Sequence, residues 1–165
     1  MGQGIIKIKH HINAAIKKAV YKIIFGKHLK FGSGVTFRKG FSICIEEQGH
    51  IKIGSHCFFN NNCSVNSLAG VTIGNNCIFG ENVHIYDHNH RFVDARVPIK
   101  DQGYSTGEIE IGDDCWVGSN CVILKGVKIG SHCVIGANCT VYKDVPDNTV
   151  LKCSQTLIAE PICWR

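Results

Sequence analysis

Two histidines, His88 and His90, open a stretch unlike the rest of the chain. The segment DHNHRFVDARVPIKDQGYSTGEI, residues 87–109, interrupts a regular pattern that runs before and after it. Imidazole titrates near neutrality, so a positioned histidine can take a proton from a hydroxyl as that hydroxyl attacks a carbonyl carbon. Such an attack also needs a donor for the oxyanion that forms, and a surface that holds both reactants in register. Asn60, in FFNNNC, lies thirty residues before His90. Its amide offers both a donor and an acceptor to a polyol, although Asn is also common at tight turns, where it tolerates left-handed backbone. Trp116 is read as a bulky ring at a turn position in a repeat that otherwise uses small residues there. His56, His84 and His132 fall at repeat positions expected to face solvent and are read as surface histidines.

The elements that must position these residues have a short period. An apolar residue followed by Gly recurs at Ile53-Gly54, Ile73-Gly74, Phe79-Gly80, Ile111-Gly112, Val117-Gly118, Ile129-Gly130 and Ile135-Gly136. From Ile111 the apolar position returns every six residues: Ile111, Val117, Ile123, Ile129, Ile135, Val141. Six is too short for a helical repeat and fits a short strand with a tight turn. Three such units make a triangular coil of about 18 residues, and stacked coils bury the Ile/Val column as parallel strands. Seven of the ten cysteines, Cys57, Cys63, Cys77, Cys115, Cys121, Cys133 and Cys139, share one repeat position. They are expected to be reduced and to fill the corners. No CxxC pair points to zinc.

The chain has 165 residues and is 44% hydrophobic, which suits a single folded domain. Its net charge of +5 is lopsided: residues 1–45 hold nine Lys and Arg and no acid, so the other 120 residues sum to −4. Residues 5–25 read as an amphipathic helix with Ile5, Ile8, Ile12, Ala15, Ala19 and Ile23 on one stripe, Ile16 and Ile24 beside it, and lysines between. The stripe packs on the protein or a neighbouring subunit, or the basic helix lies on an anionic membrane surface. With no long apolar run and no secretory signal at the start, the chain is expected in the cytoplasm, peripheral at the inner membrane surface if the helix meets lipid. Three segments follow: residues 1–30 helical, 31–150 a β-helix with an extruded loop at about 87–109, and a tail at 151–165.

IGNNCIFGENVHIYDHNH, residues 73–90, and IGDDCWVGSNCVILKGVKIGSHCVIGANCTVYKD, residues 111–144, resemble the hexapeptide-repeat acyltransferases, and within them the maltose and galactoside O-acetyltransferases and polysaccharide O-acetyltransferases. The resemblance covers about residues 50–150. It implies an all-β, left-handed parallel β-helix, acetyl-CoA as co-substrate, a saccharide acceptor, a homotrimer, and no need for a metal or for nucleic acid. It implies His90 as the general base, with His88 the second choice, and Asn60 as an acceptor-binding residue. Trp116, Ser119, Ala137 and Lys143 match positions that bind acetyl-CoA, Ser119 through a backbone N–H aimed at the thioester carbonyl.

The sequence departs from these enzymes in three places. Tyr142 stands where Thr is usual, the Gly-x-Pro turn that contacts adenine is missing from LKCSQTLIAEPICWR, and residues 1–45 have no acid to match the one the maltose and galactoside enzymes use on their acceptor. A cell-surface polysaccharide or its lipid-linked precursor is therefore the better acceptor. N-acetylation of an amino sugar and a non-catalytic β-helix scaffold are the alternatives. A γ-class carbonic anhydrase would share the fold but needs three converging zinc-binding histidines, and no IGHxxxxH unit occurs.

Overall fold

A strand of two or three residues cannot stand alone, and nearly every strand here is that short. The structure, a computed structural model, describes residues 2–46 and 48–154, with side chains from Ile12 onward. A helix, Gly2–Phe25, leads into a parallel β-helix of three flat faces. The first face stacks Leu29–Phe31, Ile51–Ile53, Val71–Ile73, Ile109–Ile111 and Lys128–Ile129. The second stacks Thr36–Phe37, Phe58–Phe59, Ile78–Phe79, Trp116–Val117, Val134–Ile135 and Val150–Leu151. The third stacks Ser42–Ile45, Ser64–Ser67, His84–Tyr86, Val122–Ile123 and Thr140–Val141. Backbone N–H groups pair with the coil above, as in Trp116 N to Cys133 O at 2.9 Å and Gly118 N to Ile135 O at 2.7 Å. Most of the expected tail, residues 155–165, lies outside the described residues.

The coil length is not uniform. Ile111 pairs with Ile129, eighteen residues on, as the repeat predicts. Leu29 pairs with Ile51, twenty-two on, and Ile51 with Val71, twenty on. The extra residues sit at the corner between the third and first faces. The wider coils are filled by larger side chains. Phe37 stacks on Phe41 at 4.4 Å, Phe41 tilts on Phe59 at 4.9 Å, and Phe59 stacks on Phe79 at 4.4 Å. In the narrower coils Val117 and Ile135 take the Phe59 and Phe79 position on the second face.

The corners between the first and second and between the second and third faces are turned by one residue in left-handed backbone. Nine non-glycine residues among those described have φ between 53° and 61°, and all are Asn, Asp or His. These are the types that tolerate that region. His56 and His132 are two of them and are exposed. The next residue turns inward, and there the cysteines sit. All seven are free and buried. Each thiol that has a coil above donates to a corner carbonyl on it, for example Cys57 to Gly74 O at 3.0 Å and Cys121 to Gly136 O at 3.0 Å. Trp116 is not on a turn: it is the outward residue of a strand whose inward residue is Val117.

The helix packs with a face other than its isoleucine stripe. Ala14 and Tyr21 are buried over the first coil, and Tyr21 meets Phe41 edge-on at 6.5 Å. The Lys17 ammonium and the Tyr21 hydroxyl donate to Phe41 O, and Lys18 donates to Val35 O at 2.8 Å. The helix thus closes the open end of the solenoid with small, aromatic and lysine residues. Its isoleucine stripe points the other way: Ile12, Ile16, Val20, Ile23 and Ile24 are all exposed. Packing of that stripe on the body of its own chain is therefore overturned. Ile5 and Ile8 have side chains outside the description.

Buried thiols donating along the stack should be inert. Alkylation of the native protein is expected to label the exposed Cys153 and spare the seven corner cysteines, which react only after unfolding. Fast native labelling of those seven, or a bridge between Cys57 and Cys63 found by mass spectrometry, would contradict this packing.

Candidate functional site

The third coil is where the stack is interrupted. After His84–Tyr86 the chain leaves the solenoid as an antiparallel pair, His88–His90 against Tyr104–Thr106, and re-enters at Ile109. Side chains alternate along a strand. Val83 and Ile85 point in, so Asp87 also points in, while His84, Tyr86, His88 and His90 share the outward side. Asp87 is completely buried, a position the reading of the sequence passed over. The alternation Val83, Ile85, Asp87 was the signal that could have found it.

Its carboxylate is fully engaged. Asp87 accepts from Leu68 N at 2.9 Å, Ala69 N at 2.8 Å, Gly70 N at 2.8 Å and the Ser67 hydroxyl at 2.8 Å. His88 Nδ1 lies 3.0 Å from its Oδ1. Burial alone would push the Asp87 carboxyl up, but the Leu68 amide, the His88 ring, the Ala69 amide and the Ser67 hydroxyl together hold it below the ordinary carboxylate value. An ionised carboxylate only accepts, so Nδ1 of His88 carries the proton of that contact, and of the two neutral tautomers the one with its lone pair on Nε2 is selected. The His88 side chain is 18% exposed.

A line of rings runs out along the hairpin. Tyr86 meets His88 edge-on at 6.3 Å, His88 meets Tyr104 edge-on at 5.3 Å, and Tyr104 tilts against His90 at 4.6 Å. His90 is exposed at the outer end. His84, expected to be a surface residue, is half-buried, with Nδ1 2.8 Å from the Ser64 hydroxyl oxygen.

The remaining sequence-derived residues lie elsewhere on the prism. Trp116, half-exposed, is on the second face. Asn60, Ser119 and Ala137 occupy the corner between the second and third faces. The Asn60 side-chain oxygen accepts from Asn61 N at 2.9 Å and from Arg38 at 3.3 Å. Lys143 is exposed at the next corner, between the third and first faces, its ammonium 5.7 Å from the centre of the Tyr142 ring. That is also the corner from which the hairpin leaves. Within one chain, then, His88, His90 and Lys143 gather at one corner and Asn60, Trp116, Ser119 and Ala137 at or beside another.

One backbone group at the second corner is distinctive. At the corner between the first and second faces the amide at this turn position donates to the side chain stacked on it: Ser55 N to Asn75 at 2.8 Å, Asn75 N to Asp113 at 2.6 Å, Ser131 N to Asp147 at 2.6 Å. At the second corner Glu81 N donates likewise to Ser119 at 3.1 Å, while Asn61 N donates to its neighbour Asn60 at 2.9 Å. Above Ser119 the stacked residue is Ala137, which has no acceptor. Among the described residues the Ser119 N–H therefore meets no side-chain partner. Gly118 keeps the two turns close, since a Cβ there would stand 2.6 Å from Ala137 N.

The buried carboxylate yields a stability test. A folded value below the ordinary one stabilises the protein fully above the ordinary carboxylate value and loses that contribution as pH falls through the depressed value. Asp87→Asn is expected to lower unfolding free energy at neutral pH by about 3 kcal/mol, because it removes a buried, multiply bonded charge. Urea titrations should show the gap between the two proteins closing in acid. A gap that does not vary with pH would refute the ionised state.

Residues 108–143 match the family described as bacterial transferase hexapeptide (six repeats), and residues 50–87 match the hexapeptide repeat of succinyl-transferase. A hexapeptide-repeat containing acetyltransferase from Vibrio cholerae, VCA0836, is 31% identical with a TM-score of 0.62, covering 83% of this chain and 74% of its own. Galactoside acetyltransferase, solved in complex with coenzyme A, is 30% identical with a TM-score of 0.62, covering 73% of this chain and 58% of its own. The putative lipopolysaccharide biosynthesis O-acetyl transferase WbbJ of Escherichia coli is 28% identical over 130 residues, 74% of this chain and 66% of that protein. The matches cover between 26% and 66% of the length of the curated relatives, about half in three of them. On the repeat, the stacking and these similarities, the chain belongs to the hexapeptide-repeat acyltransferase family.

Proposed function

We propose that this protein transfers an acetyl group from acetyl-CoA to a hydroxyl of a saccharide, in a cell-surface polysaccharide or its lipid-linked precursor, with His90 as general base. The observation that carries the reading is the ring-backed imidazole on the extruded hairpin of a solenoid whose relatives include a coenzyme A complex and O-acetyltransferases. The acceptor oxygen attacks the thioester carbonyl while the imidazole takes its proton. The tetrahedral oxyanion collapses, the C–S bond breaks, and the coenzyme A thiolate leaves with the proton from the imidazolium. The Ser119 N–H is a candidate donor to the carbonyl oxygen, because no side chain occupies it. Lys143 would meet coenzyme A phosphate as a point charge, and Asn60 would bind the acceptor.

The two groups of residues stand at different corners, and this supports a site shared between copies. A cyclic trimer places one corner of each chain against a different corner of the next and repeats that contact three times. Peripheral contact with the inner membrane is not required for this transfer, although it would bring the enzyme to a lipid-linked acceptor.

A second base is favoured by one observation. His88, not His90, has a carboxylate that fixes its tautomer and leaves Nε2 free. His90→Ala should lower kcat by about 100-fold or more with little change in acetyl-CoA affinity. If His88→Ala has that effect and His90→Ala does not, the base is His88. A shared site makes its own demand. His90→Ala and Trp116→Ala proteins, each inactive alone, should regain about a quarter of wild-type activity when co-assembled in equal amounts, because a quarter of the interfaces then pair two intact corners. No recovery in verified mixed trimers would place both residues in one chain's site.

A further inference from the structure

The helix leaves an apolar stripe that nothing in the chain covers. Ile12, Ile16, Val20, Ile23 and Ile24 are 55%, 61%, 46%, 84% and 62% exposed, the first four turned away from the buried Ala14 and Tyr21 and Ile24 on the flank of that stripe. The helix closes the end of the solenoid, so the stripe faces away from that end. Copies packed side by side through their flat faces leave it open. The charge around it has one sign. Lys22, Lys27, Lys30, Arg38 and Lys39 are exposed on the helix and first coil, and no acid precedes Glu46. Between the helix and the first coil runs a groove of about 440 Å³ lined by Asn13, Lys17, Arg38 and Lys39 among others. It gathers three cationic side chains, Lys17, Arg38 and Lys39, beside the helix.

We propose that this end of the protein docks on an anionic phospholipid bilayer, the isoleucine stripe entering the boundary between headgroups and acyl chains while the surrounding cations meet lipid phosphate. A second copy meeting the stripe end to end would bring two segments of nine positive charges together, and charge complementarity disfavours it. Copies assembled laterally present their stripes in one plane, so a trimer would engage a membrane at three points at once. The surface lies at the end of the solenoid, apart from the hairpin histidines and Trp116. Docking therefore stands or falls separately from the acetyl-transfer reading.

The test is sedimentation of the full chain with vesicles of phosphatidylcholine alone and of phosphatidylcholine mixed with phosphatidylglycerol. Binding to the mixed vesicles is expected at low salt and should weaken as salt rises, with little binding to phosphatidylcholine alone. Lys22→Gln with Lys27→Gln should lower the partition coefficient about fivefold per lysine. Ile16→Ser with Ile23→Ser should abolish retention while leaving the corner thiols protected, which verifies the fold. The proposal is overturned if the intact protein does not bind the anionic vesicles, if it binds both vesicle types equally, or if the serine variant binds as the parent does. A serine variant that loses only mass in solution, with no vesicle binding by the parent, identifies the stripe as a contact between copies.

Discussion

The backbone of each coil is satisfied only by the coils beside it. Strands of two and three residues hold no pairing of their own, and a parallel strand exposed on both edges would leave a row of unpaired N–H and C=O groups. This requirement dictates the corners, the small inward thiols, and what happens at the two places where stacking stops. At the first coil the open end is closed by a helix whose lysines and tyrosine donate to the carbonyls of Phe41 and Val35. At the third coil the chain leaves the stack altogether, and the corner amides of Leu68, Ala69 and Gly70 turn to Asp87. Burying a carboxylate is costly unless it is richly hydrogen-bonded, and this one is. The hairpin is thereby rooted in the core at the point where it departs: Gly107 N returns to Asp87 O at 2.8 Å, and Ile109 N to Gly70 O at 2.9 Å.

Much of this was legible in the sequence. The six-residue spacing from Ile111 to Val141 fixes which residues point inward, and the cysteines one step after an Asn, Asp or His mark the corners. The first two coils were less legible because their extra residues at 46–50 and 68–70 break the spacing without breaking the fold. The helix was legible as a helix but not in its orientation. Periodicity marks the isoleucine stripe without saying what it meets; the end of a prism presents carbonyls as well as phenyl rings, and a face of Ala14, Lys17, Lys18 and Tyr21 answers both. Asp87 was overlooked because an acid beside two histidines reads as part of a polar loop. Only alternation from Ile85 shows that it faces the core.

The division of the site-bearing residues between two corners follows from the same geometry. Residues about eighteen apart stack, and residues about six apart move to the next face. Counting from Ile111 places Trp116 on the second face and Ser119 on the corner after it, whereas His88 and His90 follow the third face. No spacing brings such groups together within one prism. The rigid walls that make the solenoid stable also prevent one corner from folding over to meet another, which is why the proposed reading needs a neighbouring copy.

Where the repeat is regular many corner amides are taken by the side chain above, as Glu81 N is by Ser119. Chemistry becomes available where the repeat is imperfect. Ala137, stacked above Ser119 and without a side-chain acceptor, leaves the Ser119 N–H with no side-chain partner among the described residues, so one small residue uncovers a donor. Interrupting the third coil frees a length of chain to carry imidazoles outward, while Asp87 and the Tyr104 ring restrict where those imidazoles can point. A histidine on an unanchored loop would lose rotamer freedom on meeting its substrate, a cost of order 1 kcal/mol for each side chain that must be ordered. Rings already lodged against one another, with a buried carboxylate at their root, have surrendered most of that freedom when the protein folds.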